Sequence, residues 1–572
     1  MTAFPPAPGP PNSQNLGLIA SLREDLAEAG FTNDGVAELL GLEAVAALDR
    51  EQIVPGQLRV QKLLESIPSD VDRLSRAETG AGAESPEANV SHPSWYRPCA
   101  VLTALWLVAV EVSYEQVTAA LPRTGVEGLR QLGLAQPGHT GVWPACDLRP
   151  YLAETKAGSK DLWVTSDLSA HQVTGALPHD HVLGVGQASL TLAGITHRRA
   201  VKTALDIGTG CGIQLLHLLD HAEHVTGTDL SERALVFARF NLLLNAPALG
   251  LDPVHLEDRV QLVQGSLLEP VGARRFDLVV SNPPFVITPR TPGESEAERY
   301  TYRDGGREGD ALMQELITGL PAVLSPGGTA QMLGNWESYQ NDDAWHTRPR
   351  AWVESAGLNA WFIQRDVQTP AQYAETWLRD ASEERSLVDY RRRYAEYIAD
   401  FASRQVTQIG FGLIWLQKPA DNAAHFPTSP WTCYEELTGE VQQPLGPVIG
   451  ETVQRALAAE HDADAVLQQV LIVPEAVTEE RYQRFGAEHP EVIIARQGAG
   501  LRRCRPVSSA AAGFMAAADG EFTAAQLITA VCSLTEADED ALTHEVLDLY
   551  TEGFLEDQET EAATTQKADG AD

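Results

Sequence analysis

Ala204-Leu205-Asp206-Ile207-Gly208-Thr209-Gly210-Cys211-Gly212 is the stretch whose reading decides the fold. A buried strand runs into glycines at alternate positions. The apolar run Ile213-Gln214-Leu215-Leu216-His217-Leu218-Leu219 then reads as a buried helix. Strand, glycine turn and helix together form the nucleotide-cradling half of a doubly wound fold. Glycines let the chain turn tightly, and they let a ligand lie against the backbone because no Cβ stands in the way. Outward from the turn, His224-Val225-Thr226-Gly227-Thr228 reads as a second strand that ends in Asp229. An acidic residue about twenty positions after such a turn is placed to bind a ribose hydroxyl. The spacing D-x-G-x-G-x-G differs from the dinucleotide pattern G-x-G-x-x-G. No phosphate-loop Lys-Ser or Lys-Thr follows, so phosphate is not the expected ligand.

Farther along stands Ser281-Asn282-Pro283-Pro284-Phe285. The plain reading of Asn-Pro-Pro is a turn that ends a strand. With the glycine turn before it, however, the chain resembles the class I S-adenosylmethionine-dependent methyltransferases. The resemblance covers roughly residues 181–418 and implies S-adenosylmethionine as cofactor, with no metal. It assigns Asp206, Gly208, Thr209, Gly210, Gly212, Asp229, Leu230, Ser266, Leu267 and Asn282 to the cofactor site. Gln187 to Thr191 takes the place of a segment that closes on the methionine end. Many members carry Gly-Asp after the third strand. Here the pair is Gly265-Ser266, and a serine accepts a hydrogen bond more weakly than a carboxylate.

Asn282-Pro283-Pro284-Phe285 matches the N-P-P-[FY] signature of methyltransferases that act on planar nitrogens, and it is the expected catalytic set. The resemblance implies that the Asn282 side-chain oxygen and the Pro283 carbonyl accept hydrogen bonds from the target N–H groups. Phe285 offers a face on which a base or an amide stacks. Two acceptor classes fit. Tyr302-Arg303-Asp304-Gly305-Gly306-Arg307-Glu308-Gly309-Asp310 resembles the glycine-rich loop of release-factor glutamine-N5 methyltransferases. The phenylalanine after Pro-Pro is similar instead to ribosomal RNA guanine-N2 methyltransferases. An exocyclic amine of a ribosomal RNA base is the leading expectation, and a protein glutamine amide is the alternative. A cofactor-binding regulator or scaffold without catalysis is the reading from another class.

Charge works against nucleic acid. The chain carries 79 acidic and 42 basic side chains, a net of −37. Nucleic-acid affinity comes from neutralising phosphates, so an RNA substrate requires arginines gathered locally. Three clusters are candidates: Arg299, Arg303 and Arg307 beside the signature, Arg391-Arg392-Arg393, and Arg502-Arg503-Cys504-Arg505. Ion pairing of the first cluster with Glu294, Glu296 and Glu298 is the competing reading, and a solvated face is the ordinary reading of the other two runs. His217, His221 and His224 have a metal-like spacing but fall at the end of a helix running into a strand, where a structural role is expected.

With 572 residues, several domains are expected. Residues 1–15 read as disordered and 16–145 as a helical N-terminal domain with a polar linker near 68–86. Residues 146–420 read as the methyltransferase domain. Its expected fold is an α/β, Rossmann-like, seven-stranded sheet, with strands near 203–207, 224–228, 260–264, 276–281, 330–333, 359–365 and 410–417. Residues 370–405 read as a helical insertion and 419–447 as irregular. Residues 448–556 read as an α+β domain compatible with a winged helix, with a wing strand begun by Gly553-Phe554-Leu555. Residues 557–572 read as a disordered acidic tail. The six cysteines are scattered without a C-x-x-C pair, which implies reduced thiols in a cytoplasmic protein. No run of eighteen apolar residues is present, and the N-terminal stretch lacks the basic residues of a signal peptide. Oligomeric state is left open.

Overall fold

The computed structural model describes residues 9–66, 93–155, 158–173, 177–290, 304–380, 386–420 and 429–558. The 68–86 linker, nearly all of the 557–572 tail, and Arg299, Arg303, Glu294, Glu296 and Glu298 lie outside the described residues.

The centre is one mixed sheet. Helix α1 (Gln187–Ile195) precedes strand β1 (Val201–Ile207), which leads into α2 (Ile213–Leu218). Then come β2 (Ala222–Asp229), α3 (Glu232–Leu244), β3 (Val260–Gln264) and β4 (Phe276–Ser281). Helix α4 (Ala311–Val323) leads into β5 (Leu324–Tyr339), and α5 (Thr347–Ala356) into β6 (Asn359–Gln368). Two helices, α6 (Pro370–Asp380) and α7 (Leu387–Ser403), form the expected insertion before β7 (Val406–Gln417). The spatial order is β3-β2-β1-β4-β5-β7-β6, with an eighth strand, β8 (Thr432–Glu436), added beside β6. Strands β1 to β5 are mutually parallel, and β7 runs antiparallel between β5 and β6. The inner strands read as apolar runs because helices cover both faces; in β1, Ala204, Leu205, Asp206 and Ile207 are all buried.

The seven expected strands are present. Strand β5 is far longer than its apolar centre at 330–333, since it carries Gln331, Asn335 and Glu337 as buried polar residues. Part of the 419–447 stretch, expected to be irregular, is ordered as β8. Its five residues gain their strand state from pairing with β6, a tertiary effect that local sequence does not carry.

Among the described residues, seven short α-helices and one π-helical turn (Thr103–Leu107) precede the sheet, from Leu16–Glu28 to Gly125–Leu132. Their starts are capped by Asn15, Thr32 and Ser113, the last in a capping box with Gln116. A hairpin, Asp147–Thr155 with Gly158–Ser166, joins them to the sheet. Asn245 on the turn after α3 receives the Trp163 N–H and donates to the Trp163 carbonyl. Asn241 does the same for Thr165. These two amides act as the hairpin's missing strand partner. A single hydrophobic cluster runs from Ile19 through Trp106, Trp163 and Phe237 to Leu445, so helices and sheet share one core.

The C-terminal region has its own cluster around Phe514, Leu549 and Phe554. Among the described residues it contains a long helix (Gly446–His461), a three-stranded antiparallel sheet and four further helices, the last being Glu539–Glu552. Phe554 and Leu555 are buried anchors of this core rather than the start of a wing. The strand falls just after them, at Glu556–Asp557, and pairs with Leu471–Ile472. No helix among the described residues is long and apolar enough to cross a membrane.

Candidate functional site

Three strand ends meet at one edge of the sheet. Ile207 is in register with Thr228 on one side and Ser281 on the other. The turn after β1, the acid after β2 and the Asn-Pro-Pro-Phe stretch after β4 therefore emerge together. This is the point where strand order reverses, the crevice in which open α/β sheets bind ligands.

The turn needs its glycines. Gly208, Gly210 and Gly212 have φ of 72°, 54° and 93°, where a side chain is strained. A Cβ on Gly212 would press against Ala238 of α3 at 3.2 Å, whereas one on Gly210 would meet nothing within 4 Å. Gly212 is thus glycine for packing, and Gly210 leaves an open face for a ligand. A Cβ on Gly208 would stand 3.8 Å from the Asn282 carbonyl, so the two motifs lie in contact. Both Gly208 N–H and Thr209 N–H donate to the Thr228 carbonyl, at 2.8 and 2.9 Å.

Two carboxyls frame the turn, Asp206 buried and Asp229 half-buried. Asp206 accepts from the Thr209 hydroxyl at 2.5 Å, while its other oxygen has no hydrogen-bond partner among the described residues. Burial pushes its carboxyl up to about 7, with Asp229 adding to the rise and the Thr209 bond opposing it. Asp229 accepts from Gly210 N–H at 2.9 Å and from Ser231 N–H at 2.8 Å. Burial raises it too, against those backbone donors. Leu230, 58 % exposed, offers an apolar surface beside it. Gly265 N–H donates to the Asp229 carbonyl, which brings Ser266 and Leu267 to the same edge; Leu267 adopts φ 48°. Helix α1, which holds Gln187 to Thr191, is tied to α2 by the Gln214 amide, which donates to the Ser189 carbonyl.

This set fits S-adenosylmethionine. The orphaned oxygen of a buried carboxylate suits a cationic ligand, and the free face at Gly210 admits one close to the backbone. The carboxylate of Asp229 and the apolar Leu230 suit a ribose and an adenine. When bound there, the cofactor supplies an electrophilic methyl group on a sulfonium.

On the acceptor side Asn282 is half-buried and Pro283 buried. The Pro283 carbonyl accepts from Phe285 N–H at 2.8 Å, which leaves one lone pair for a ligand. Neither proline has an N–H, so the turn offers acceptors only. Phe285 bridges to Asp304, and Asp304 pairs with Arg290. The Phe285 carbonyl accepts from the Asn335 amide at 2.9 Å, and Ile287 N–H donates to the Tyr373 hydroxyl at 2.7 Å.

The structure disperses the arginine clusters. Arg503 is buried and bound to both oxygens of Glu435 on β8, at 2.7 Å each, with its face over Trp361. Arg505 pairs with Asp548 and Glu552, and Arg502 with Glu440. Arg392 and Arg393 pair with Glu396 on their own helix, and Arg307 with Glu315. These ion pairs agree with the reading of the runs as solvated, ion-paired faces. Arg503 clasps the C-terminal region to the sheet, and the other named pairs meet intrachain carboxylates. His217 has the structural role expected of it. Its Nε2 faces the Tyr151 hydroxyl at 2.5 Å, and burial, with Arg198 beside it, drives it down to about 3. Among the described residues no group of three or more His, Cys, Asp or Glu is placed to hold a metal ion.

Three site residues were not found by sequence reasoning. Asn241 donates to the Cys211 carbonyl at 2.8 Å and so ties the glycine turn to α3. Asn335 and Tyr373 hold the chain after Asn-Pro-Pro. The only local signal was a buried-pattern strand or helix interrupted by one amide or hydroxyl.

Fold and site define a class I methyltransferase domain. Residues 183–294 match the family model described as methyltransferase small domain, and residues 28–145 match a domain of unknown function, DUF7059. Among known proteins, the ribosomal protein uL3 glutamine methyltransferase of Bradyrhizobium diazoefficiens is 31% identical over 202 residues, which is 34% of this chain and 59% of that protein. The release factor glutamine methyltransferase of Geobacter sulfurreducens is 38% identical over 140 residues, covering 23% of this chain and 45% of that protein. The chain thus spans about half the length of the curated relatives it matches. A solved S-adenosylmethionine-dependent methyltransferase from Thiobacillus denitrificans, in complex with S-adenosyl-L-homocysteine, is 17% identical and covers 43% of this chain and 94% of that one. The TM-score of that match is 0.23.

Proposed function

We propose that this chain transfers a methyl group from S-adenosylmethionine to the side-chain amide nitrogen of a glutamine in a basic protein. The observation that carries the reading is the contact between the glycine turn and Asn282-Pro283-Pro284-Phe285 at one sheet edge. An amide nitrogen is a poor nucleophile because its lone pair is delocalised. Asn282 and the Pro283 carbonyl take its two N–H groups, aim the lone pair and favour the positive charge that develops on it. Holding the nitrogen at near-attack distance supplies much of the remaining rate. The new N–C bond forms as the donor's S–C bond breaks, and one N–H proton leaves to water. Phe285 lies against the amide plane. Two further facts support glutamine over an RNA base. The relatives named above are glutamine methyltransferases, and a net charge of −37 attracts a basic protein while repelling phosphate.

The test is methyl-label transfer into an extract lacking this protein, with Asn282→Ala alongside. Asn282-dependent label in a protein band, released on digestion as methylglutamine, is the expected result. Label in RNA would move the acceptor to a nucleobase. Cofactor binding with no transfer to any fraction would leave a regulator or scaffold.

A further inference from the structure

Beyond the signature itself, the chain that leaves the acceptor turn is gripped from two distant elements. Asn335 lies on β5 and Tyr373 on α6 of the insertion; both are fully buried. The Asn335 amide nitrogen donates to the Phe285 carbonyl at 2.9 Å and lies 3.4 Å from the Tyr373 hydroxyl. That hydroxyl accepts the Ile287 N–H at 2.7 Å. The ring of Tyr373 is itself fixed. It stacks on Phe411 at 5.7 Å and 15°, and meets Phe401 edge-on at 5.5 Å and 83°. Phe411 is the cross-strand partner of Asn335, so one rigid cluster holds both groups. Ile287 sits in the hydrophobic cluster of the insertion, with Tyr397 and Phe401.

We infer that Asn335 and Tyr373 are positioning residues for the acceptor half of the site: they fix the backbone from Phe285 to Ile287, so the α6–α7 insertion sets the geometry of transfer. This rests on the proposed methyl transfer to a planar nitrogen. The physical link is short. Between Phe285 and Asn282 lie only two prolines, whose fixed φ leaves little slack to absorb a displacement. A shift at the Phe285 carbonyl is therefore passed to the Asn282 amide, to the Pro283 carbonyl and to the ring of Phe285. A misplacement of about 1 Å at a reacting centre costs on the order of 100-fold in rate. Both side chains bond the backbone of residues 285 to 287, and they act through it. Their burial adds a reason for pairing, since a buried amide or hydroxyl without a partner is costly.

Tyr373→Phe removes one hydroxyl and keeps the ring in its stack. Asn335→Asp keeps the shape and sets a carboxylate oxygen against the Phe285 carbonyl. In the full-length protein, kcat, KM for the acceptor, cofactor Kd and the exchange rate of the Ile287 amide are measured for wild type, both variants and their combination. The expected result is a fall in kcat of about 10-fold for Tyr373→Phe and more for Asn335→Asp. Cofactor Kd stays within about twofold, Ile287 exchanges faster in Tyr373→Phe, and the double variant is less impaired than the product of the two. Unchanged kcat with faster Ile287 exchange would overturn the inference, because the clamp would then hold structure and not geometry. A loss of cofactor affinity in step with kcat would overturn it as well, as a general loosening. A wild-type protein that transfers methyl to no acceptor is a different failure: it removes the proposed function and this inference with it.

Discussion

In the glycine-turn half of the site the deciding hydrogen bonds join residues 3 apart (Thr209 to Asp206) and 19 apart (Gly210 to Asp229). In the Asn-Pro-Pro-Phe half they join residues 50 apart (Asn335 to Phe285) and 86 apart (Tyr373 to Ile287). The cofactor half is a local device: one strand, one turn and the next strand nearly complete it. The acceptor half is local only in its two prolines and the flanking Asn282 and Phe285. Its rigidity is borrowed from β5 and from an insertion that enters the chain much later. The difference accords with what each half must recognise. A cofactor is the same molecule in every enzyme that uses it, whereas an acceptor differs from one enzyme to another.

The sharpest way to break this division is Asn282→Ala. Loss of a positioned acceptor of developing charge should lower methyl transfer by about 100- to 1,000-fold. Cofactor affinity should hold within about twofold, because Gly208 approaches the backbone carbonyl of Asn282 and not its amide. Single-turnover transfer and calorimetry check the two numbers separately. If both fell together, the halves would be one unit.

The complementary variant is Asp229→Ala. It leaves the Gly210 and Ser231 N–H groups without their acceptor. A buried donor left without a partner costs about 1–3 kcal/mol, and these half-buried ones fall toward the low end. Cofactor affinity should drop by roughly 10- to 100-fold, while the acceptor KM measured at saturating cofactor stays put. A larger change in acceptor KM than in cofactor Kd would place Asp229 in the wrong half.

The same contrast accounts for what was legible in the sequence. Asp206, the three glycines and Asp229 were found because chain distance stands in for spatial distance there; the α/β class and the insertion followed from period and length. Asn282 to Phe285 was found as a motif, but its supports were not. Asn335 is one of two amides in a sixteen-residue strand, with Gln331, and Tyr373 is one of two hydroxyl residues in an amphipathic helix, with Thr376. Neither alters a hydrophobic pattern, and only tertiary pairing reveals them. Strand β8 was hidden for the same reason. The arginine runs were ambiguous in the sequence for a related reason. Adjacent arginines look like a phosphate patch until the structure shows Glu435, Glu396 and Asp548 facing them.

Asp206 gives a pH handle on the cofactor half alone. Its carboxyl stands at about 7 in the folded protein against an ordinary 3.8. Between those values the folded, ligand-free state holds a proton that the unfolded chain has released. The stability this proton contributes is fully present below about 4 and is lost as pH rises through about 7. A cationic ligand favours the ionised form. Cofactor affinity should therefore climb with pH, by at most about tenfold per unit below 7, and level off above it. Asp206→Asn should flatten the profile. Calorimetric titration at pH 6, 7 and 8 reads this directly, and a flat wild-type profile would remove Asp206 from the cofactor's reach.

The smallest expected effect is the most informative about the acceptor. Arg392 and Arg393 pair with Glu396, and Arg392 also with Asp389, all on one exposed helical face. Surface pairs of this kind are worth about 0.2–1 kcal/mol each. Replacing Arg391, Arg392 and Arg393 by alanine should shift the melting temperature by only a few degrees, and should leave both transfer rate and its salt dependence unchanged. The reason lies in the helix itself: each of the paired guanidinium groups already has a carboxylate, so a phosphate would have to displace a covalently tethered competitor. If RNA were the acceptor and this run gripped it, each lost phosphate contact would lower the slope of log affinity against log salt by about 1. A measured drop of that size would return the acceptor to RNA. It would also reverse the comparison, since the insertion would then bind its substrate through charge and not hold Phe285 in place through Tyr373.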